Sequence, residues 1–277
     1  MRRSAEVSEI GAGAGILRVQ RVAECTAVTM AAAGDPLKLL VTRPRGEAAW
    51  IFATTYGGGL LAGDHTQLQI ELGPQTRTYL GSQASTKVYR SDDGRAARVE
   101  VTATVEDEAL LAWLPDPVAP FADSRLDQRL TVQLAPTASA VILDAITAGR
   151  LARNERWDLA RCTSRLSVDR GGRPLLRDAL DLRSPHLQER LGACGVLATV
   201  FLTGPLVAAV ATAIATEVAA AEAVPWDGGL LVGAAPRGQD LLLRLAAPAW
   251  PVAEAWLHHR LAPLAALLDG APWLRRP

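Results

Sequence analysis

The chain announces itself through short alternating runs. ILRVQRV (16–22), CTAVTMA (25–31), LKLLVTR (37–43) and AWIFATTY (49–56) are rich in Val, Ile and Thr and are parted by Gly, Pro and Asp, the pattern of β-strands joined by turns. A glycine cluster, Gly57-Gly58-Gly59, then leads through Asp64 into Leu68, Ile70 and Leu72, which alternate with Gln67, Gln69 and Glu71 as in a half-buried strand. Gly73-Pro74 ends that run as a turn.

The middle of the chain repeats itself. QLQIE (67–71) is echoed by RVEVT (98–102) and RLTVQ (129–133), so that Leu68, Val99 and Leu130 follow one another at steps of 31 residues. Each copy passes through a polar turn into a second strand: TRTYLGS, ALLAWLP and SAVILDAI. RLSVDRGGRPLLRDAL (165–180) reads as a fourth, shorter copy with its turn at Gly171-Gly172. A fixed period of this size predicts stacked β-units.

Beyond Leu182 the character changes. Leu197–Thr203 reads as a strand, Pro205–Ala223 as an alanine-rich helix, 228–244 as a hairpin turning at APRGQ, and Pro248–Leu268 as a second helix with an apolar stripe. The expectation is a mostly β protein of stacked or layered sheets, built from repeated two-strand units, with two α-helices in the C-terminal third. It forms one domain over residues 1–277, of which 1–15 are loosely ordered. Val196–Thr216 has the length and lack of charge of a membrane span, but Gly204-Pro205 divides it, and a strand followed by a helix suits it better.

Composition narrows the function classes. Formal net charge is zero, which gives no reason to expect a nucleic-acid backbone or an anionic membrane as partner. Lys38 and Lys87 are the only lysines among many arginines, which makes Lys87 unusual for this chain. Cys25, Cys162 and Cys194 are odd in number and far apart, without the spacing of a zinc site or a disulfide framework. Glu6 and Glu9 interrupt any signal-peptide core, so a cytoplasmic location is expected.

Catalytic patterns are missing from the text. The glycines at 57–59 are followed by no Gly-Lys-Ser/Thr, and Gly11, Gly13 and Gly15 lack the strand and helix of a dinucleotide fingerprint. There is no GxSxG elbow or Ser/His/Asp arrangement. His258 and His259 are adjacent on a helix and point apart, while His65 beside Asp64 fits a glycine-flanked turn.

Three ordered segments carry a resemblance. GGGLLAGD (57–64), STKVYRS (85–91) and WLPDPVAPFADSRL (113–126), followed by AGR (148–150), are similar to the pattern of the UreD (UreH) family of urease accessory proteins, close to GGLVGGD, ATKFYRS and WLPEPVIPFADARF. The chain departs from it at Leu60-Leu61-Ala62, at Ala119 and at Asn154-Glu155-Arg156. The resemblance implies a non-catalytic scaffold that binds urease apoprotein and, through UreF, the GTPase UreG, and that helps deliver nickel through its interior. It implies no tightly bound cofactor, only nickel in transit.

A conduit needs sites that bind weakly enough to release the ion, which favours isolated carboxylates over thiolate or histidine cages. The candidates are Asp64, Asp144 on the third second-strand and Asp178 in the fourth copy; for each, a turn cap or an arginine ion pair is the plain alternative. Lys87 and Tyr89, alternating about Val88, are candidates for partner binding; the plain alternative is a buried Tyr with Lys reaching past it. A β-repeat adaptor that joins proteins without conducting metal is the competing reading.

Overall fold

The computed structural model describes residues 10–43, 46–221 and 228–274. The early strands are β1 (Ala14–Val22), β2 (Cys25–Ala33), β3 (Leu37–Val41) and β4 (Ala49–Thr55). Ala14 and Gly15 thus already belong to a strand, and the rest of the expectation of loose order over 1–15 falls largely on residues 1–9, outside the described residues.

The repeat is a coil with three faces. The first turn of the coil is β5 (Gly59–Leu60), β6 (His65–Leu72) and β7 (Arg77–Ser82). The second is β8 (Thr86–Val88), β9 (Ala97–Val105) and β10 (Leu110–Trp113), and the third is β11 (Val118–Pro120), β12 (Arg125–Leu134) and β13 (Ser139–Thr147). Corresponding strands pair in parallel: β6 with β9 and β9 with β12; β7 with β10 and β10 with β13; β5 with β8 and β8 with β11. Stacked units of this kind are what the repeat predicted. The two-strand unit was incomplete, however, because the third face contributes strands too short to show a period.

The register is also less even than the text suggested. Leu68 stands opposite Val101, not Val99, and Val101 opposite Leu130. A slip of two residues keeps every side chain on its face, so the division into inward and outward positions survives. From Leu68 to Leu80, from Val101 to Trp113 and from Leu130 to Ile142 the chain takes twelve residues each time, and these are laterally matched positions. Most of the irregularity lies at the corner leading from the short face, with eight residues from Leu60 to Leu68, thirteen from Val88 to Val101 and ten from Pro120 to Leu130.

The fourth copy starts as expected and then departs. β14 (Arg161–Arg170) stacks in parallel on β12, but the turn at Gly171-Gly172 returns β15 (Arg173–Arg183) antiparallel in the same sheet. Two consecutive glycines at positive φ make a tight hairpin that cannot span the gap to the opposite sheet. A short helix α1 (Leu187–Leu191), absent from the sequence reading, then leads to β16 (Val196–Thr203), α2 (Ala208–Ala220), β17 (Leu231–Arg237), β18 (Asp240–Ala247) and α3 (Trp250–Leu261). The expected end of α2 at Ala223 lies outside the described residues. The hairpin turns within the expected APRGQ segment, at Gly238-Gln239, with β17 running on through Ala235, Pro236 and Arg237. Pro236 continues an edge strand, where a missing ladder donor does no harm.

Two sheets result. One runs β15-β14-β12-β9-β6-β1-β2, the other β17-β18-β16-β13-β10-β7-β4-β3, with β5, β8 and β11 attached through Val118 and Ile146. Leu17, Ile70, Leu80, Val132 and Ile142 fill the space between the sheets at one end. Val88, Leu126, Ile146, Trp157 and Cys162 fill it at the other. The outer face of the second sheet is covered by α2 and α3 through Val141, Val200, Leu243, Ile214 and Leu257. Among the described residues no helix is long and apolar enough to cross a membrane; β16, once part of the uncharged stretch, is a central strand.

Candidate functional site

Between the two apolar clusters runs a seam of polar side chains. Strand alternation sends Leu126, Gln128 and Leu130 of β12 inward, and Cys162, Ser164 and Leu166 of β14 beside them, so Gln128 and Ser164 face the opposite sheet. From that sheet come Asp144 on β13, Thr199 on β16 and Arg244 on β18, aligned in one row. With neighbouring strands about 5 Å apart, the row spans about 10 Å.

Asp144 sits at the centre. Gln128 Nε2 donates to its Oδ1 at 2.9 Å and the Ser164 hydroxyl donates to its Oδ2 at 2.5 Å. Burial raises its pKa above the ordinary carboxylate value; the two hydrogen bonds act against that, Asp178 adds to it and Arg244 reduces it. Asp144 still keeps some accessible surface, because it lines internal space. On one side lies a cavity of about 120 Å³ between the sheets, enough for several waters, reaching Thr66, Ser82, Thr86 and Asp116. On the other a space of about 400 Å³ opens past Thr199 and Arg244 toward Gly233. Asp144 is a wall of both.

Each end of the seam carries a further acid. Asp178 of β15 accepts a two-pronged ion pair from Arg244, whose Nη1 lies 2.9 Å from Asp178 Oδ2 and 2.6 Å from the Thr199 hydroxyl. At the far end Asp116 accepts from the Ser82 hydroxyl at 2.7 Å, while its backbone N–H donates to the same oxygen at 2.8 Å. Cys162, one row from Ser164, is fully buried, and burial pushes its thiol far above the ordinary range; Asp144 adds to the effect. The metal-free thiol therefore stays protonated. Among the described residues no group of three His, Cys, Asp or Glu side chains is disposed to hold a metal ion.

Of the three aspartates singled out from the sequence, the structure brings two together. Asp144 and Asp178 share the seam. Asp64 lies apart and does what a turn aspartate does: its Oδ2 accepts the Leu61 backbone N–H at 2.8 Å. Gln128, Ser164, Thr199 and Arg244 were missed, and so was Asp116, although it stands inside WLPDP.

Lys87 and Tyr89 lie on the short third face, either side of buried Val88. Lys87 is exposed, whereas the Tyr89 ring packs edge-on against Phe121 at 5.4 Å and beside the Gly59 backbone, where an added Cβ would stand 2.7 Å from the ring. The Arg150 guanidinium stacks 4.2 Å over the other partner in this group, Phe121, and is held by Glu155, whose Oε2 lies 2.8 Å from Arg150 Nε. The segments at 57–64, 85–91, 113–126 and 148–150, distant in the text, thus meet at one corner of the coil through Gly59, Tyr89, Phe121 and Arg150.

The chain matches the family described as UreD urease accessory protein over residues 12–276. It is 41% identical over 274 residues to the urease accessory protein UreD of Anaeromyxobacter sp. (strain Fw109-5), covering 97% of this chain and 92% of that one. It is 40% identical over 268 residues to the UreD of Sorangium cellulosum (strain So ce56), with 96% and 84% covered. The urease accessory protein D of Oryza sativa subsp. indica is 32% identical over 212 residues, 74% of this chain and 69% of that one. With matches of this extent, the chain belongs to the UreD urease accessory protein family.

Proposed function

We propose that this protein is a non-catalytic urease maturation factor that passes nickel through the polar seam while docked between urease apoprotein and a UreF–UreG module. The observation that carries the reading is Asp144: a carboxylate between two sheets, hydrogen-bonded by neutral groups, lining water-sized space on both sides. A buried carboxylate without an ionic partner is costly for stability, and a wet passage for cations gives it a use. Asp116 and Asp178 supply negative charge at either end, the latter balanced by Arg244. Single carboxylates with water hold a divalent ion loosely enough to hand it on.

The test is urease activation at limiting nickel by Asp144→Asn and by the double variant Asp144→Asn/Asp116→Asn, with nickel content of urease and recovery of the UreF–UreG and urease complexes measured together. The expected result is intact complexes with activation reduced several-fold. Full activation by the double variant refutes conduction and leaves the adaptor role, in which the chain only joins its partners.

A further inference from the structure

The outer face of the first sheet carries an arrangement that the seam does not use. Along one row Arg125 of β12 pairs laterally with Arg161 of β14, and Arg161 with Arg183 of β15. Four residues on, Arg129 pairs with Arg165. Like charges directly opposite one another on adjacent strands destabilise a sheet. The acids present are too few to cancel them. Asp181 is shared by Arg161 and Arg183, at 3.0 and 2.5 Å, and Asp127 by Arg165 and Arg129, at 2.8 and 3.4 Å. Arg98, beside Asp127 on β9, and Arg125 have no acidic partner among the described residues. Six arginines thus meet three carboxylates, Asp127, Asp181 and Glu100, on one face of a chain whose formal net charge is zero.

Four of these arginines, Arg98, Arg125, Arg161 and Arg165, border with Asp127 a polar groove of about 650 Å³ over the N-terminal ends of β6, β9, β12 and β14. We infer that this groove is a docking site for a carboxylate-rich segment of a protein partner, with Arg98 and Arg125 as its primary contacts. The planar guanidinium fork matches a carboxylate two bonds at a time. His65 is the single aromatic residue lining the groove, too few to stack successive bases, and Asp127 beside the arginines would repel a continuous run of phosphates. Both features favour a peptide with spaced acids over a nucleic acid. The inference concerns the outer face alone and stands whether or not metal passes through the interior.

The test uses fluorescein-labelled decaglutamate, decaglutamine and a ten-nucleotide oligothymidylate, titrated with the full chain in a fluorescence anisotropy assay. Decaglutamate is expected to bind saturably and to weaken steeply with salt, while decaglutamine does not bind. Arg98→Gln/Arg125→Gln should weaken decaglutamate at least tenfold, whereas Arg237→Gln, on the distant hairpin, should not. Because Arg125 faces a like charge, Arg125→Gln should melt no lower than wild type, an outcome that a structural role would not give. Absence of saturable decaglutamate binding, an equal loss on Arg237→Gln, tighter binding of the oligothymidylate, or a clearly lowered melting temperature for Arg125→Gln would each overturn it.

Discussion

Replacing Asp144 by Asn separates its charge from its hydrogen bonds. Burial raises the folded-state pKa of Asp144 above that of the unfolded chain. At pH below the unfolded value both states hold the proton, and the side chain contributes its full stability. As pH rises through the unfolded pKa, the unfolded chain releases its proton while the folded protein retains it, and stability is lost until the folded pKa is passed. Each unit of elevation corresponds to about 1.4 kcal/mol. Asn keeps an oxygen for Gln128 and can donate to Ser164 in place of accepting from it, so Asp144→Asn should lie within about 1 kcal/mol of wild type at pH 5. It should gain on wild type as pH rises. Asp144→Leu instead removes the acceptor of the Ser164 hydroxyl and one of two partners of the Gln128 amide, and should cost about 1–3 kcal/mol. Guanidinium unfolding at several pH values from about 3 to about 8, which brackets the unfolded carboxylate pKa, reads all three proteins. Parallel pH profiles for wild type and Asp144→Asn, or a loss above about 2 kcal/mol for Asp144→Asn at pH 5, would refute the reasoning.

Other perturbations probe the rest of the fold. Ile142→Ala, at a fully buried position between the sheets, should cost about 2–5 kcal/mol in the same unfolding assay. Gly204 joins β16 to the segment before α2 at φ +97°, where an added Cβ would stand 2.3 Å from the Ala138 carbonyl oxygen; Gly204→Ala should lower stability by more than about 1 kcal/mol, seen as a lower melting temperature. A thiol reagent should titrate exposed Cys25 in the native protein, and reach buried Cys162 and Cys194 only on unfolding; fast native labelling of Cys162 would contradict its place between the sheets.

How much of this was legible depends on what each element shows locally. Long strands such as β6, β9 and β12 declare themselves by alternation, and their turns by Gly73-Pro74 and its counterparts. β5, β8 and β11 are two or three residues long, too short for any period, and emerged only as unexplained motif text between strands. Asp144 was visible as a lone acid inside SAVILDAI, a run otherwise fit for burial. Gln128 and Ser164 were not, because an inward polar residue in a strand such as RLDQRLTVQL looks like another outward one. Asp64 and Asp178 look alike in the text, yet one caps a turn three residues away while the other meets an arginine 66 residues on. Partners at that separation are decided by how the sheets are laid down, which no local pattern encodes.

The invariant twelve-residue passage between the two large faces and the elastic corner opposite it divide the chain into parts that tolerate editing differently. Extra residues spliced in at Asp92–Gly94 lengthen a bend that already differs from coil to coil, and leave every strand above and below in phase. One residue added near Gly73 or Pro136 would instead rotate the following strand by half a period and turn its apolar side to solvent. Reporter tags, cross-linking handles and natural length variation all belong at the elastic corner.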